Sequence, residues 1–226
     1  MKKLLITALF FVFITGAAQE TPISLVNVTG KGTVKVVPDE VLINARIEHT
    51  GKSPKEVKAQ NDKVVNEIIK YLKSQDIPSK NFQTEYIRLS KDYNYNSKET
   101  FYSANQAISI KLEDLSKYEK IMSGLLESGL NRIDGIMFQS SQKEELESQA
   151  RKNAVLDAQK KAKELANALG QDIGKAQSIS EAGGGNYPQP MYKAAMMDVA
   201  QEESEETIAP GEMEITIRVN AAFVLE

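Results

Sequence analysis

Between Ser141 and Gly170 alanine recurs at every fourth position, Ala150, Ala154, Ala158, Ala162 and Ala166, in phase with Leu146 and uninterrupted by proline. This pattern predicts one long helix. Ser141-Gln142-Lys143-Glu144 reads as a capping box that opens it, and Gly170 as the residue that stops it. A face of such small side chains allows a close approach to a sheet or to another helix. A spacing of four drifts ~40° per step around a 3.6-residue helix, so the stripe winds; Leu165 and Leu169 are expected to return it to the inner face. Lys152, Lys160, Lys161, Lys163 and Glu164 fall on the opposite, solvated side.

The rest of the chain alternates strand and helix signals. Val26, Val28, Val34 and Val36 share a phase with Gly30 and Gly32, so one strand face carries two bare positions in a row. Glycine inside a strand marks a bulge or a close backbone approach. Gly30-Lys31-Gly32 is no dinucleotide fingerprint, because it lacks the third glycine and lies within a strand. Pro38-Asp39 predicts a turn, and Val41, Ile43, Ala45 and Ile47 a second strand paired with the first as a hairpin, with His49 solvated at its end. Ser53-Pro54-Lys55-Glu56 then opens a helix whose apolar stripe runs from Val57 to Leu72.

Phe82 to Leu89 and Asn105 to Leu112 read as strands flanking the polar segment Asp92 to Ser97, with Tyr93 and Tyr95 decorating a long hairpin. Asp114 caps a short helix that ends at Gly129, and Ile133 to Phe138 and Ile173 to Ile179 are further strands. Residues 183–211 break the pattern. They hold Gly183-Gly184-Gly185, Tyr187, three prolines and the acidic run Gln201 to Glu206, and read as a flexible insertion. Four methionines, Met191, Met196, Met197 and Met213, cluster in or beside it; adjacent methionines in a loop make an adaptable surface and not a metal motif. Met213 to Leu225 then alternates strictly and returns the C-terminus to the sheet. The fold class is α+β, with antiparallel sheet packed by helices.

Composition narrows the chemistry. None of the 226 residues is cysteine, and His49 is the only histidine. Disulfide frameworks, thiolate chemistry, thiolate zinc and lipobox lipidation are therefore excluded, and a Ser/His/Asp triad would have to pass through one residue. Lys2 and Lys3, the apolar stretch Leu4 to Ile14 and the small residues Gly16-Ala17-Ala18 form a secretory signal, which predicts cleavage after Ala18 and one exported domain over 19–226. The apolar stretch is too short to cross a bilayer, and the mature chain holds no transmembrane segment. Loss of two lysines takes the net charge from −3 to −5, which argues against nucleic acid as partner.

Val28-Thr29-Gly30-Lys31-Gly32-Thr33-Val34 followed by Pro38-Asp39, then Thr84, the Ala/Lys-rich helix closing on Leu169-Gly170, and Pro210-Gly211-Glu212 before the last strand resemble the SIMPL domain family of exported bacterial proteins. The resemblance spans the mature chain. It implies an α+β fold, a periplasmic or envelope location, self-association, a stress-related or immunogenic context and no agreed enzymatic activity. The chain departs from the family in the length and acidity of the 183–211 insertion.

These observations predict a non-enzymatic periplasmic or cell-envelope protein that forms homo-oligomers. No catalytic residue, metal or cofactor is assigned. Tyr187, Met191, Tyr192, Met196 and Met197 in the insertion, with Thr216 and Val224 on the last strand, are the candidate interaction residues; Gly30, Gly32, Pro38, Asp39 and Gly170 are structural. The last strand is expected to offer an unpaired edge to a second subunit. The alternatives are a periplasmic carrier of a small ligand and, behind it, a carboxylate-dependent hydrolase, whose acid pair leaves no fixed spacing.

Overall fold

The computed structural model describes residues 23–182 and 209–226. The signal segment 1–18 and the candidates Tyr187, Met191, Tyr192, Met196 and Met197 lie outside the described residues. Seven strands and three α-helices are described: β1 (Leu25–Val36), β2 (Glu40–Gly51), α1 (Pro54–Ser74), β3 (Phe82–Asn94), β4 (Glu99–Leu112), α2 (Tyr118–Glu127), β5 (Arg132–Gln139), α3 (Lys143–Ala168), β6 (Ile173–Glu181) and β7 (Met213–Leu225). They form two antiparallel sheets, one ordered β1-β7-β6 and one ordered β3-β4-β2-β5, and the architecture is α+β.

Each sheet has its own helical cover and core, two helices on one and one on the other. On the four-stranded sheet, Val41, Ile43, Ala45 and Ile47 of β2 and Ile108, Ile110 and Leu112 of β4 point at α1 and α2 and pack with Val65, Ile68, Leu72, Ile121 and Leu125. Helix α1 starts as the sequence predicts, with Ser53 as N-cap accepting from the Glu56 amide and Pro54 in the first turn. On the three-stranded sheet, Ala154, Ala158 and Ala162 of α3 pack on Val219, Ala221 and Phe223, while Leu146 and Ala150 meet Met213 and Ile215.

The two bare positions of β1 lie directly under α3. A Cβ built on Gly30 would collide with the Ala154 carbonyl oxygen and stand 2.6 Å from the Ala158 nitrogen; one on Gly32 would collide with the Ala150 carbonyl oxygen and stand 2.5 Å from the Ala154 nitrogen. Glycine on the strand and alanine on the helix are two halves of one close contact. All three helices end in Schellman motifs, with Asp76, Gly129 and Gly170 at positive φ. At Gly170, the Gly170 amide donates to Asn167 O and the Gln171 amide to Ala166 O.

Four expectations need correction. β1 and β2 do not form a hairpin: β1 pairs with β7 and β2 with β4 and β5. Their inner faces suit different helices, bare glycine for the α3 backbone and branched side chains for α1. Pro38 is buried at the crossing, and the Asp39 amide donates to Gln139 O of β5. Ser141 does not cap α3, whose N-cap is Gln142 without a side-chain bond; its amide, at 2.7 Å, and its hydroxyl both donate to the Asp39 carboxylate. Leu165 and Leu169 do not rejoin the inner face and are 52% and 71% exposed, because the alanine stripe continues through Ala166 alone. Finally, β7 is the central strand of its sheet, so its ladder edge is taken by β1 along its length and by β6 over Val219–Leu225.

The two hydrogen bonds from Ser141 hold the Asp39 carboxyl below the usual carboxylate range. A depressed folded-state pKa contributes stability that is present above the unfolded value of ~3.9 and lost as pH falls through the folded value. Asp39→Asn should therefore cost on the order of 1 kcal/mol or less at neutral pH, the site being exposed, and should flatten the acid limb of stability against pH below about 4. Urea unfolding at pH 7 and pH 3 checks this, with the two proteins converging at the lower pH.

Candidate functional site

Among the described residues, no helix covers one face of each sheet. On the four-stranded sheet this face carries Asn44, Arg46 and Glu48 of β2, Ser103, Asn105, Ala107 and Ser109 of β4, and Tyr86, Arg88 and Ser90 of β3, set side by side by the register Arg46↔Ala107↔Tyr86 and Glu48↔Asn105↔Arg88. Two bulges flank the first of these rows. Glu85 is the extra residue of β3 between the pairs at Thr84 and Tyr86, and Asp134 is the extra residue of β5 between Ile133 and Gly135. A bulge re-aims the side chains beyond it. The β3 bulge puts Tyr86 next to Ala107, and the β5 bulge brings Asp134 to Arg46.

Arg46 is held from both sides. Its Nε and Nη2 donate to Asp134 Oδ2 at 2.8 and 2.7 Å, and its guanidinium carbon lies 5.7 Å from the centre of the Tyr86 ring across the short side chain of Ala107. Arg132 meets Asp134 Oδ1 at 2.9 Å and Glu48 at 3.4 Å. Arg46, Tyr86, Arg88 and Asn105 line a cup of about 300 Å³. Arg88 has no carboxylate within ion-pair distance among the described residues. Asn105 Oδ1, like Asn44 Oδ1 on the same face, is shielded from solvent and receives no hydrogen bond there.

The edges of the two sheets differ. The outer edge of β1 is closed by α3: the Lys31 amide donates to Asp157 Oδ2 at 2.7 Å, and Lys161 Nζ reaches Thr29 O at 3.1 Å. β6 is bulged twice, and Glu181 near its end meets Arg151 of α3 at 2.7 Å. The outer edge of β3 takes no strand among the described residues, and it runs regularly from Tyr86 to Asn94. On its α1 side Ile87 is 67% exposed and Leu89 and Tyr93 about half exposed, and the tip residue Tyr95, 85% exposed, meets Tyr93 edge to face at 5.1 Å.

Of the two sequence candidates that are described, Thr216 lies 3.1 Å from the Thr33 hydroxyl, and Val224 pairs with Leu25; both are half-buried on the helix-free face of the three-stranded sheet. The structure does not bring them to an edge. Arg46, Tyr86, Arg88 and Asn105 escaped sequence reasoning. Their only signal was polar residues alternating with apolar ones, which any solvated sheet face produces. Among the described residues no group of three or more Asp, Glu or His is placed to hold a metal ion, and no helix is long and apolar enough to cross a membrane.

Comparison with known proteins matches residues 26–223 to the family described as SIMPL, protein of unknown function (DUF541). The chain is 26% identical over 201 residues to the uncharacterized protein YggE of Escherichia coli K12, covering 88% of this chain and 82% of that one. It is 27% identical over 209 residues to the 26 kDa periplasmic immunogenic protein of Brucella melitensis, covering 88% and 84%. The interleukin-1 receptor-associated kinase 1-binding protein 1 of Mus musculus is 29% identical over 164 residues, which cover 69% of this chain and 59% of that protein. With nearly all of both sheets and all three helices inside the matched span, the chain belongs to the SIMPL family.

Proposed function

We propose that the mature chain is exported to the periplasm or cell envelope and works there without chemistry of its own, as a self-associating interaction module with a stress-related role. Export is supported by the charged and apolar N-terminal segment and by the name of the Brucella relative, a periplasmic protein. One observation carries the self-association. Of the edges described, that of β3 is long, regular from Tyr86 to Asn94, and bordered by exposed Ile87, Leu89 and Tyr93, which makes it a template for strand pairing with a second copy. The edge of β1, closed by Asp157 and Lys161, is a poorer one.

The test is the mass of the mature protein by size-exclusion chromatography with light scattering. Ile87→Lys and Leu89→Lys together place two charges beside the β3 edge and should reduce the assembly by at least half its mass. Thr216→Lys with Val224→Lys, on a strand already paired, should leave it unchanged. An oligomer lost only in the second double variant would move the interface to β7, and a protein monomeric at high concentration would end the assembly reading.

A further inference from the structure

We propose that Arg46, Tyr86, Arg88 and Asn105 form a binding site for a small carboxylate with an amide N–H beside it, that is, an N-acylated amino acid or the C-terminal residue of a peptide. The inference does not rest on self-association, since Ile87 and Leu89 lie on the other face of β3.

Charge fixes the first half of the ligand. Arg46 is matched by Asp134 and stacked on Tyr86, so it is rigid and contributes a fixed wall. Arg88 is exposed and has no acidic partner among the described residues, which leaves one guanidinium fork for one carboxylate. In a chain of net charge −3 this is a locally cationic cup.

The orphan acceptor fixes the second half. A shielded amide oxygen with no donor is an unmet requirement that an apolar or purely anionic ligand leaves in place. Asn105 Oδ1 calls for a donor next to the carboxylate. To admit it a lining side chain must move, and of the two arginines Arg88 is the one with no ion pair to break among the described residues. An uncharged amide N–H fits better than an α-ammonium, which would face two guanidinium groups. The cup, at about 300 Å³, is of the size of the smallest ligand pockets and takes one residue, not a chain.

Calorimetric titration and ¹H–¹⁵N spectra of the mature protein test this with four probes. N-acetylalanine and trialanine carry both groups, N-acetylalaninamide lacks the carboxylate and propionate lacks the donor. Saturable binding of at least one of the first two is expected, with shifts at the amides of Arg88 and Asn105. Propionate should bind about tenfold more weakly, and the amide not measurably. Arg88→Gln should weaken N-acetylalanine binding about tenfold or more, while Asn105→Leu should erase its advantage over propionate, both with an unchanged circular-dichroism spectrum. Trialanine above N-acetylalanine assigns the site to chain ends, and the reverse order to free acyl amino acids. Equal binding of the amide, indifference to Arg88→Gln, or no saturable binding to any probe overturns the proposal; inorganic phosphate competing as well as N-acetylalanine would reduce it to an unspecific anion site.

Discussion

Gly30→Ala should unfold at a temperature at least ~6–12 °C below that of the parent protein, a loss of about 3 kcal/mol or more from a single methyl group. Alanine has the better strand propensity, so propensity alone predicts the opposite sign. Sterics decide. The added carbon would sit against the Ala154 carbonyl oxygen and within 2.7 Å of the Ala158 Cβ, and neither can turn aside as a flexible side-chain end would. Relief requires α3 to lift from β1, which would open the contacts of Ala154, Ala158 and Ala162 with β7, the hydrogen bond that Asp157 accepts from the β1 edge and the one that Lys161 donates to it. Gly32→Ala, set against Ala150 and Ala154 in the same way, should behave alike. Gly135→Ala is the control, with no atom within 4 Å of its added carbon, and should stay within about 0.5 kcal/mol. A Gly30→Ala protein of parental stability would mean that α3 stands off the sheet.

The glycine pair also marks where sequence reasoning stops. Gly30 and Gly32 in one strand phase announce a close approach, and alanines at every fourth position announce a surface that permits one; nothing local says that they meet. Pairing is a non-local property, and β1 finds its partner at the opposite end of the chain. The same limit explains the hairpin that β1 and β2 do not make and the central place of β7, since strict alternation is compatible with an edge and with a middle strand alike. Helix signals fared better where their partners are local. Ser53 caps α1 as its spacing predicts, but Ser141, with the same spacing to a glutamate, is taken by Asp39 from across the structure. The carboxylate cup lay beyond reach for the same reason: it is assembled from three strands and two bulges, and a bulge leaves no signature in alternation until the partner strand is known.

Asn61→Leu should cost about 2–4 kcal/mol, although leucine is of similar size and the site is buried. Asn61 lies on the apolar stripe of α1, and its Nδ2 donates to Ile47 O of β2 at 2.9 Å and to Ala104 O of β4 at 3.2 Å, with the His49 ring nitrogen 3.5 Å away. One amide thus ties the helix to two adjacent strands of the sheet. Leucine keeps the packing and leaves both carbonyls without that donor. Asn61→Asp separates this account from a packing effect through its pH dependence. An aspartate facing two carbonyl oxygens must be protonated to donate, so its folded-state pKa is raised above the unfolded value of ~3.9. The folded state then binds more protons than the unfolded one, and stability falls as pH rises from about 4 through the folded pKa. The Asn61→Asp protein should therefore recover stability relative to the Asn61→Leu protein as the solution is acidified, in urea titrations across pH 4 to 8. A constant gap between the two variants over that range would mean that the amide donor does not hold α1 to the sheet.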